Sequence, residues 1–302
     1  MTAREGRHGQ VLLEFAFVSL AFYFLLAGTL ELGRALHASQ ALQNATRVLG
    51  RELSVTPMPA TISFEVALGL TPPTTLAESE AADRVRQTVF DAGLLALDVS
   101  GLSGAAYDDR LATLPVVNRM LVPLMIRESI SIGGGAELDV LRYPGALFVN
   151  PNFDATNPRP GELGYVVRIP RVIARDDDGH ETIEFVDVVS EIRHSSGDGP
   201  FSVQSTAPLR GTVAVRMYYP FQAATLSAYR PSADGQNDPV LADDGAVTLA
   251  GGLQAPVGFE SSTVNSYSGA YGLGSQQALT QTVRPFRRLL SAQSISRREV
   301  FQ

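Results

Sequence analysis

The apolar residues near the N-terminus predict a helix long enough to cross a membrane. Residues 11–30 are almost all apolar, they contain no proline, and Glu14 is the only charged residue among them. A helix of that length rises about 1.5 Å per residue and covers roughly 30 Å, the thickness of the hydrocarbon core of a bilayer. We therefore expect a transmembrane segment over about residues 11–30.

A different pattern follows, in which alanine and leucine recur at steps of three and four residues. We call this row the alanine–leucine stripe, and it consists of Ala35, Ala38, Leu42, Ala45, Leu49 and Leu53. Such spacing places all six residues on one face of a helix, as is typical of a helix that packs on a protein core. Because Pro57 disfavours helical backbone at the residue before it, one long helix is expected over residues 10–55, with its stripe packed on the rest of the protein.

The rest of the chain predicts short helices followed by strands. Helical spacing covers residues 78–97 and residues 108–126, and Pro115 and Pro123 should break the second stretch. From about residue 129, apolar and polar residues alternate over short runs joined by turns, which favours antiparallel strands.

The alternation is clearest in one strand, which carries Val213, Val215, Met217 and Tyr219 on one face. The acidic run at residues 175–179 has the chemistry of a hairpin turn. Residues 223–281 are polar and should form loops, and residues 276–294 are weakly helical. The predicted fold class is α+β, with a long N-terminal helix, additional short helices and an antiparallel β-sheet outer domain over residues 60–302.

Composition excludes several function classes. The 302 residues contain 31 Asp and Glu against 24 Lys and Arg, a net charge of −7 that argues against a nucleic-acid partner. Cysteine is absent, so disulfide scaffolds, thiolate zinc sites and cysteine nucleophiles are excluded. The acidic run fails the calcium-loop spacing, and the sequence around His180 and Glu181 has Glu184 where a zinc protease has its second histidine. We expect no enzyme, no metal and no cofactor.

The residues that flank the apolar run predict the orientation of the chain. Arg4 and Arg7 precede it, so residues 1–9 form a leader that stays in the cytoplasm, and residues 60–302 lie on the other side of the membrane. A removable secretory signal would have a shorter apolar core of about 7–15 residues with a small-residue cleavage site after it, which this run lacks.

Two groups of charged residues allow more than one interpretation. A carboxylate such as Glu14 inside an apolar helix is a functional candidate, although it could also lie at headgroup level and reach water. Arg284, Arg287 and Arg288 cluster around Pro285. They could contact anionic lipid headgroups or polysaccharide, but a solvated face is the favoured interpretation.

Four motifs follow one another near the N-terminus. In order, they are Gly9-Gln10, Glu14-Phe15, Glu31-Leu-Gly33-Arg34 and Gln40-Ala-Leu-Gln-Asn44-Ala-Thr-Arg47. Together they resemble the TadE/TadG-like family of tight-adherence (Tad) pilus proteins, whose N-termini are similar to those of type IV pilins. Farther along, residues 213–221 resemble a late strand of such domains. The resemblance implies that a prepilin peptidase cuts between Gly9 and Gln10, and that Glu14 and Phe15 act in assembly and helix pairing.

The resemblance also implies a function and a location. The chain would be a membrane-anchored minor pilin-like subunit, or pseudopilin, or an assembly factor of a Tad-type pilus or secretion system. It would lie in the bacterial inner membrane as a single-pass protein. Its partners would be the prepilin peptidase, other pilin-like subunits and the Tad assembly platform. The alternative is a single-pass anchored extracytoplasmic binding protein that is not assembled into a filament.

Overall fold

One helix dominates the computed structural model. Helix α1 (Gly6–Val55) is unbroken over 50 residues, and the remaining elements gather around its second half. The structure describes residues 6–132, 137–177, 181–193, 199–207, 209–227, 229–231, 237–239, 247–250, 255–261, 267, 269, 271–278 and 281–299.

The other helices are short, and most begin or end where the sequence supplies a reason. They are α2 (Phe64–Ala67), α3 (Leu76–Thr88), α4 (Ala105–Ala112) and α5 (Val116–Leu121), with 3-10 turns at Ala92–Leu95 and Val122–Leu124. The Thr75 hydroxyl caps α3 by accepting a hydrogen bond from the backbone N–H of Glu78. Pro115 separates α4 from α5, so the predicted break is confirmed.

The helix predicted over residues 78–97 is too long. It stops at Thr88, and residues 96–98 form a strand instead, because they pair with a strand that lies more than 40 residues away in the sequence. Local spacing could not show that partner.

The strands form three sheets and two ribbons within the described part of the chain. They are β1 (Ala96–Asp98), β2 (Ile126–Ile132), β3 (Leu138–Arg142), β4 (Ala146–Val149), β5 (Tyr165–Arg175), β6 (Glu181–Asp187), β7 (Val189–Glu191), β8 (Thr212–Ser227), β9 (Tyr229–Pro231), β10 (Asn237–Pro239), β11 (Val247–Leu249), β12 (Phe259–Ser261), β13 (Gln276–Ala278), β14 (Gln281–Val283) and β15 (Pro285–Arg297). The sheet orders are β1-β3-β2-β12, β11-β6-β5-β4 and β15-β8-β7, and the ribbons are β9-β10 and β13-β14.

The strand pairing confirms the α+β class. All described strand pairs are antiparallel except β6 with β11, which is parallel. Strands β5 and β6 pair as the two arms of the predicted hairpin. Its turn falls partly on residues 178–180, which lie outside the described residues, as does His180.

The longest strand pair overturns the helical expectation for residues 276–294. These residues form β13, β14 and most of β15, and β15 pairs with β8 from Arg297 opposite Thr212 to Pro285 opposite Ser227. Strand β8 supplies hydrogen-bond partners along the whole length of β15, which outweighs the weak local preference of a polar segment. Residues 223–227, expected to be loop, extend β8 for the same reason.

The alanine–leucine stripe packs against β8 and β15, as expected. Ala38, Leu42, Ala45, Leu49 and Leu53 are buried in the main core, and Ala35 is half-buried against it. Small side chains let the helix and the sheet approach closely. At Gly50, an added Cβ would lie 2.6 Å from the hydroxyl oxygen of Ser294 on β15. The second half of α1 is therefore part of the core of the outer domain.

Candidate functional site

The predicted processing residues lie at the beginning of α1. Gly9 and Gln10 have helical backbone, three and four residues after the helix begins at Gly6. The side chain of Gln10 and residues 1–5 of the predicted leader are outside the described part of the structure. The bond between Gly9 and Gln10 therefore lies within the first two turns of α1.

The predicted assembly residues follow within one or two turns. Glu14 is exposed on α1, and Phe15 beside it is 69% exposed. Glu14 lies four positions after Gln10, so both residues lie on one face of the helix about a turn apart. The helix thus places the carboxylate near the amino group that cleavage after Gly9 would create.

The apolar residues around Glu14 have the burial expected of a segment that faces lipid. From Val11 to Leu26 the large apolar side chains are exposed, and none of them packs into the core. By length and composition, α1 is the one helix in the described part of the chain that could cross a membrane.

The structure brings together two of the segments that carry the family resemblance. Arg34 pairs with Glu31 at 3.0 Å, near the end of the apolar run. The guanidinium carbon of Arg34 also lies 5.9 Å from the ring centre of Phe221 on β8. The motif at residues 31–34 and the strand motif at residues 213–221 therefore meet where the helix leaves the apolar segment.

The arginine cluster has a role that its local sequence does not indicate. Arg284 is fully buried and donates to the Glu181 carboxylate at 2.8 Å, and Arg287 donates to the same oxygen at 2.5 Å. Arg175 pairs with the other oxygen. The prediction of a solvated face is therefore wrong for Arg284, although Arg288 is exposed.

These contacts change the acidity of Glu181. Burial opposes its ionisation, but Arg287, Arg175 and Arg284 outweigh that effect, so the pKa of the carboxyl lies below its usual value. Glu184 pairs with Arg171 on the neighbouring strand. Both acidic residues of the zinc-like sequence are thus engaged by arginine. Within the part of the chain that the structure describes, no three histidine, aspartate or glutamate residues could hold a metal ion.

Comparison with known proteins gives a family match for the N-terminal region. Residues 9–51 match the model of the TadE family, which is described as TadE-like protein. The resemblance suspected from the motifs is confirmed over these residues. It indicates involvement in Tad pilus assembly and an association with Tad pilus components in general. No curated protein and no solved structure matches the chain.

Proposed function

We propose that this protein is a membrane-anchored minor pilin-like subunit or assembly factor of a Tad-type pilus or secretion system. The observation that carries the proposal is the TadE-like match of residues 9–51, which covers both halves of one unbroken helix. The first half has exposed apolar residues suited to lipid, and the second half belongs to the core of the outer domain.

The continuity of α1 supports a mechanical role rather than a catalytic one. Because the second half of α1 is packed on β8 and β15, a shift of the helix along its axis moves the outer domain by the same distance. The level at which the first half pairs with a neighbouring helix therefore sets the level of the outer domain. In this proposal the chain lies in the bacterial inner membrane with its leader in the cytoplasm and is processed by a prepilin peptidase.

Cleavage after Gly9 would give Glu14 its assembly role. The new amino group at Gln10 is mostly cationic at neutral pH. Opposite charges about 4 Å apart attract by roughly 4 kcal/mol at an effective dielectric constant near 20, which suits a membrane interface. That attraction is comparable with the cost of inserting a carboxylate into a bilayer. Pairing between neighbouring chains would therefore offset the cost and fix the register of the helices.

The test replaces Glu14 with Gln, which keeps the size of the side chain and removes its charge. Glu31→Gln is the matched control, because Glu31 lies near the other end of the apolar run and pairs with Arg34 within the same helix. In cells with an active prepilin peptidase, we expect intact mass to show chains starting at Gln10 for both variants. Crosslinking to other Tad components should fall only for Glu14→Gln.

Three outcomes would contradict this proposal or a part of it. A mature chain that keeps Met1 or Thr2 would exclude processing after Gly9. Unchanged crosslinking of Glu14→Gln would show that Glu14 is an interfacial carboxylate with no role in assembly. If the unmodified chain also fails to crosslink to Tad components, the anchored binding protein that is not assembled becomes the better assignment.

A further inference from the structure

A cavity of about 620 Å³ lies between the β5–β6 hairpin and the β8–β15 pair. Its rim combines basic and apolar groups. Arg171 and Val172 lie on the β5 side, and Phe286 and Arg288 lie on the β15 side. All four of these side chains are exposed to a large degree, so the rim is accessible from outside the protein.

The charge of the cavity favours an anionic ligand. Among the described residues that line it, Arg171, Arg175, Arg287 and Arg288 are basic and Glu181 is the one acid. Arg284, which is buried behind these lining residues, adds another positive charge next to Glu181. This basic surface belongs to a chain with a net charge of −7, so it is a local concentration that overall composition does not explain. Arginine binds phosphate oxygens well because its planar guanidinium can donate two parallel hydrogen bonds.

A buried amide adds a second requirement on the ligand. Gln222 lines the cavity, and its side-chain nitrogen donates to the carbonyl of Leu273 at 3.1 Å. Its side-chain oxygen is buried and has no hydrogen-bond partner among the residues that the structure describes. Since buried polar atoms nearly always have a partner, a ligand with a hydroxyl donor would complete this group.

The contacts between α1 and the sheet give the level of the cavity relative to the membrane. Gly50 of α1 lies against Ser294 of β15, and Arg34 lies against Phe221, whose neighbour on β15 is Arg288. The sixteen helical residues between these contacts rise about 24 Å, and the six strand residues rise about 20 Å. Helix α1 and strand β15 therefore run nearly side by side, and the N-terminal end of β15 is the end nearest to the apolar half of α1.

The same geometry gives the level of Phe286 relative to the apolar run. It precedes Arg288 by two residues, about 7 Å farther along β15 in the direction of the apolar half. Leu30 precedes Arg34 by four residues, about 6 Å in the same direction. Phe286 is thus level with the end of the apolar run, where aromatic side chains are typically found in membrane proteins.

We propose that this cavity binds the phosphate and hydroxyl groups of an anionic glycerophospholipid headgroup, at the surface of the bilayer that α1 crosses. Arginines on the rim contact the phosphate, Gln222 accepts from a headgroup hydroxyl, and Phe286 and Val172 contact the upper acyl chains. Phosphatidylglycerol has this combination of groups. The proposal rests on the membrane insertion of α1 proposed above, and it does not depend on pilus assembly.

The absence of tryptophan allows a direct test in the full chain. Phe286→Trp places a single fluorophore on the rim. Ile295→Trp, an exposed apolar position nine residues farther along the same strand, is the control for a site away from the membrane. Each variant is placed in nanodiscs of phosphatidylcholine and phosphatidylglycerol in equal amounts. Bromine atoms, which quench tryptophan, are carried near the headgroup end of the acyl chains of only one of the two lipids.

The proposal predicts that the fluorescence of Phe286→Trp is quenched more by brominated phosphatidylglycerol than by brominated phosphatidylcholine, while Ile295→Trp is quenched by neither. Combining Arg288→Gln with Phe286→Trp should lower the preference for phosphatidylglycerol about fivefold, which is the effect expected of one basic residue at an anionic surface. Adding Arg297→Gln, an exposed arginine at the far end of β15, should leave the preference unchanged.

Other outcomes would overturn the proposal in distinguishable ways. Equal quenching of Phe286→Trp by both lipids would show apolar contact without headgroup recognition. Loss of the preference on addition of inorganic phosphate would show that the site takes free phosphate rather than lipid. Absence of quenching would exclude lipid and favour a soluble anion such as an acidic polysaccharide. Phe17→Trp reports insertion of α1 separately, so failure of the anchor is not mistaken for failure of this site.

Discussion

The first half of α1 has apolar side chains on every face and exposes nearly all of them, whereas the second half has fewer and buries most of them. Leu20 is 50% exposed and Phe22 is 71% exposed, but Leu49 and Leu53 have no exposed surface. The most apolar part of the chain is therefore not its core. In a bilayer such a segment needs no protein cover, because lipid tails are as apolar as its side chains.

The contrast shows that the surroundings of a helix are indicated by how far its apolar surface extends around the helix, and less by how many apolar residues it has. A helix that is apolar all around suits lipid, and a helix with a single stripe suits the surface of a water-facing core. The change between the two occurs near Glu31 and Arg34, where an ion pair and Phe221 of β8 mark the exit from the apolar segment. Four changes to the chain would test this division.

Removing α1 altogether should have the largest effect. A fragment of residues 60–302 loses the buried side chains of the stripe, and each leucine among them contributes about 1.5–3 kcal/mol of burial. The total approaches the whole stability of a typical domain. We expect this fragment to aggregate, while a fragment of residues 33–302 that keeps the stripe is monomeric and melts cooperatively. Size-exclusion chromatography and circular dichroism compare them. A monomeric, cooperatively melting 60–302 fragment would show that the stripe is dispensable.

Glu181→Gln tests whether the outer domain also depends on contacts remote from α1. Breaking a buried ion pair typically costs about 3–5 kcal/mol, because the remaining charge stays buried, as Arg284 would here. Glu184→Gln is the control. The ion pair between Glu184 and Arg171 is partly exposed, so we expect Glu184→Gln to lower the free energy of unfolding by about 1 kcal/mol or less. Urea unfolding at neutral pH measures both variants.

The cost of Glu181→Gln should also depend on pH. The folded pKa of Glu181 lies below the ordinary value of 4.5, so its contribution is fully present above that value. It is lost as the pH falls through the lower, folded pKa. The stability difference between the unmodified chain and Glu181→Gln should therefore shrink as the pH is lowered below about 4.5. A difference that stays constant as the pH is lowered well below 4.5 would exclude the ion pair as its source.

Leu49→Ala and Leu20→Ala compare the same substitution in the two halves of α1. Leu49 is fully buried, so its truncation leaves a cavity in the core and should destabilise the outer domain by about 2–5 kcal/mol. Leu20 faces outward in the apolar half, and its truncation should leave the unfolding of the outer domain unchanged. Thermal unfolding of the full chain in nanodiscs gives both values. Equal losses of stability for Leu49→Ala and Leu20→Ala would show that the two halves of α1 do not contribute independently to the stability of the outer domain.

Gly50→Ala and Gly28→Ala test how closely the rest of the protein packs against each half of α1. A methyl group at Gly50 would meet the Ser294 hydroxyl at 2.6 Å, and we expect a loss of about 1–3 kcal/mol from the resulting overpacking. Gly28 has nothing within 4 Å of the added carbon, so alanine there should cause no loss. The same unfolding measurement applies. A neutral Gly50→Ala would show that the sheet can move away from the helix at little cost.

Much of the fold could be predicted because it is written in short-range patterns. The length of α1 follows from an unbroken helical stretch before Pro57, and the stripe from Ala35 to Leu53 follows from its spacing. The break at Pro115 was predicted in the same way, because proline acts on its immediate neighbours. For the candidate site, the sequence placed Gly9, Gln10, Glu14 and Phe15 along one helix, and their roles remain predictions.

The sequence by itself determined where the helix lies, which face of its second half is buried, and which residues match the TadE-like family. Tertiary structure decided that residues 285–297 form a strand, because β8 supplies its hydrogen bonds from a distant part of the chain. It also decided that Arg284 is buried against Glu181 and that Arg34 meets Phe221. Periodicity describes a residue only relative to its near neighbours, and these contacts join residues more than fifty positions apart, so only the folded chain could reveal them.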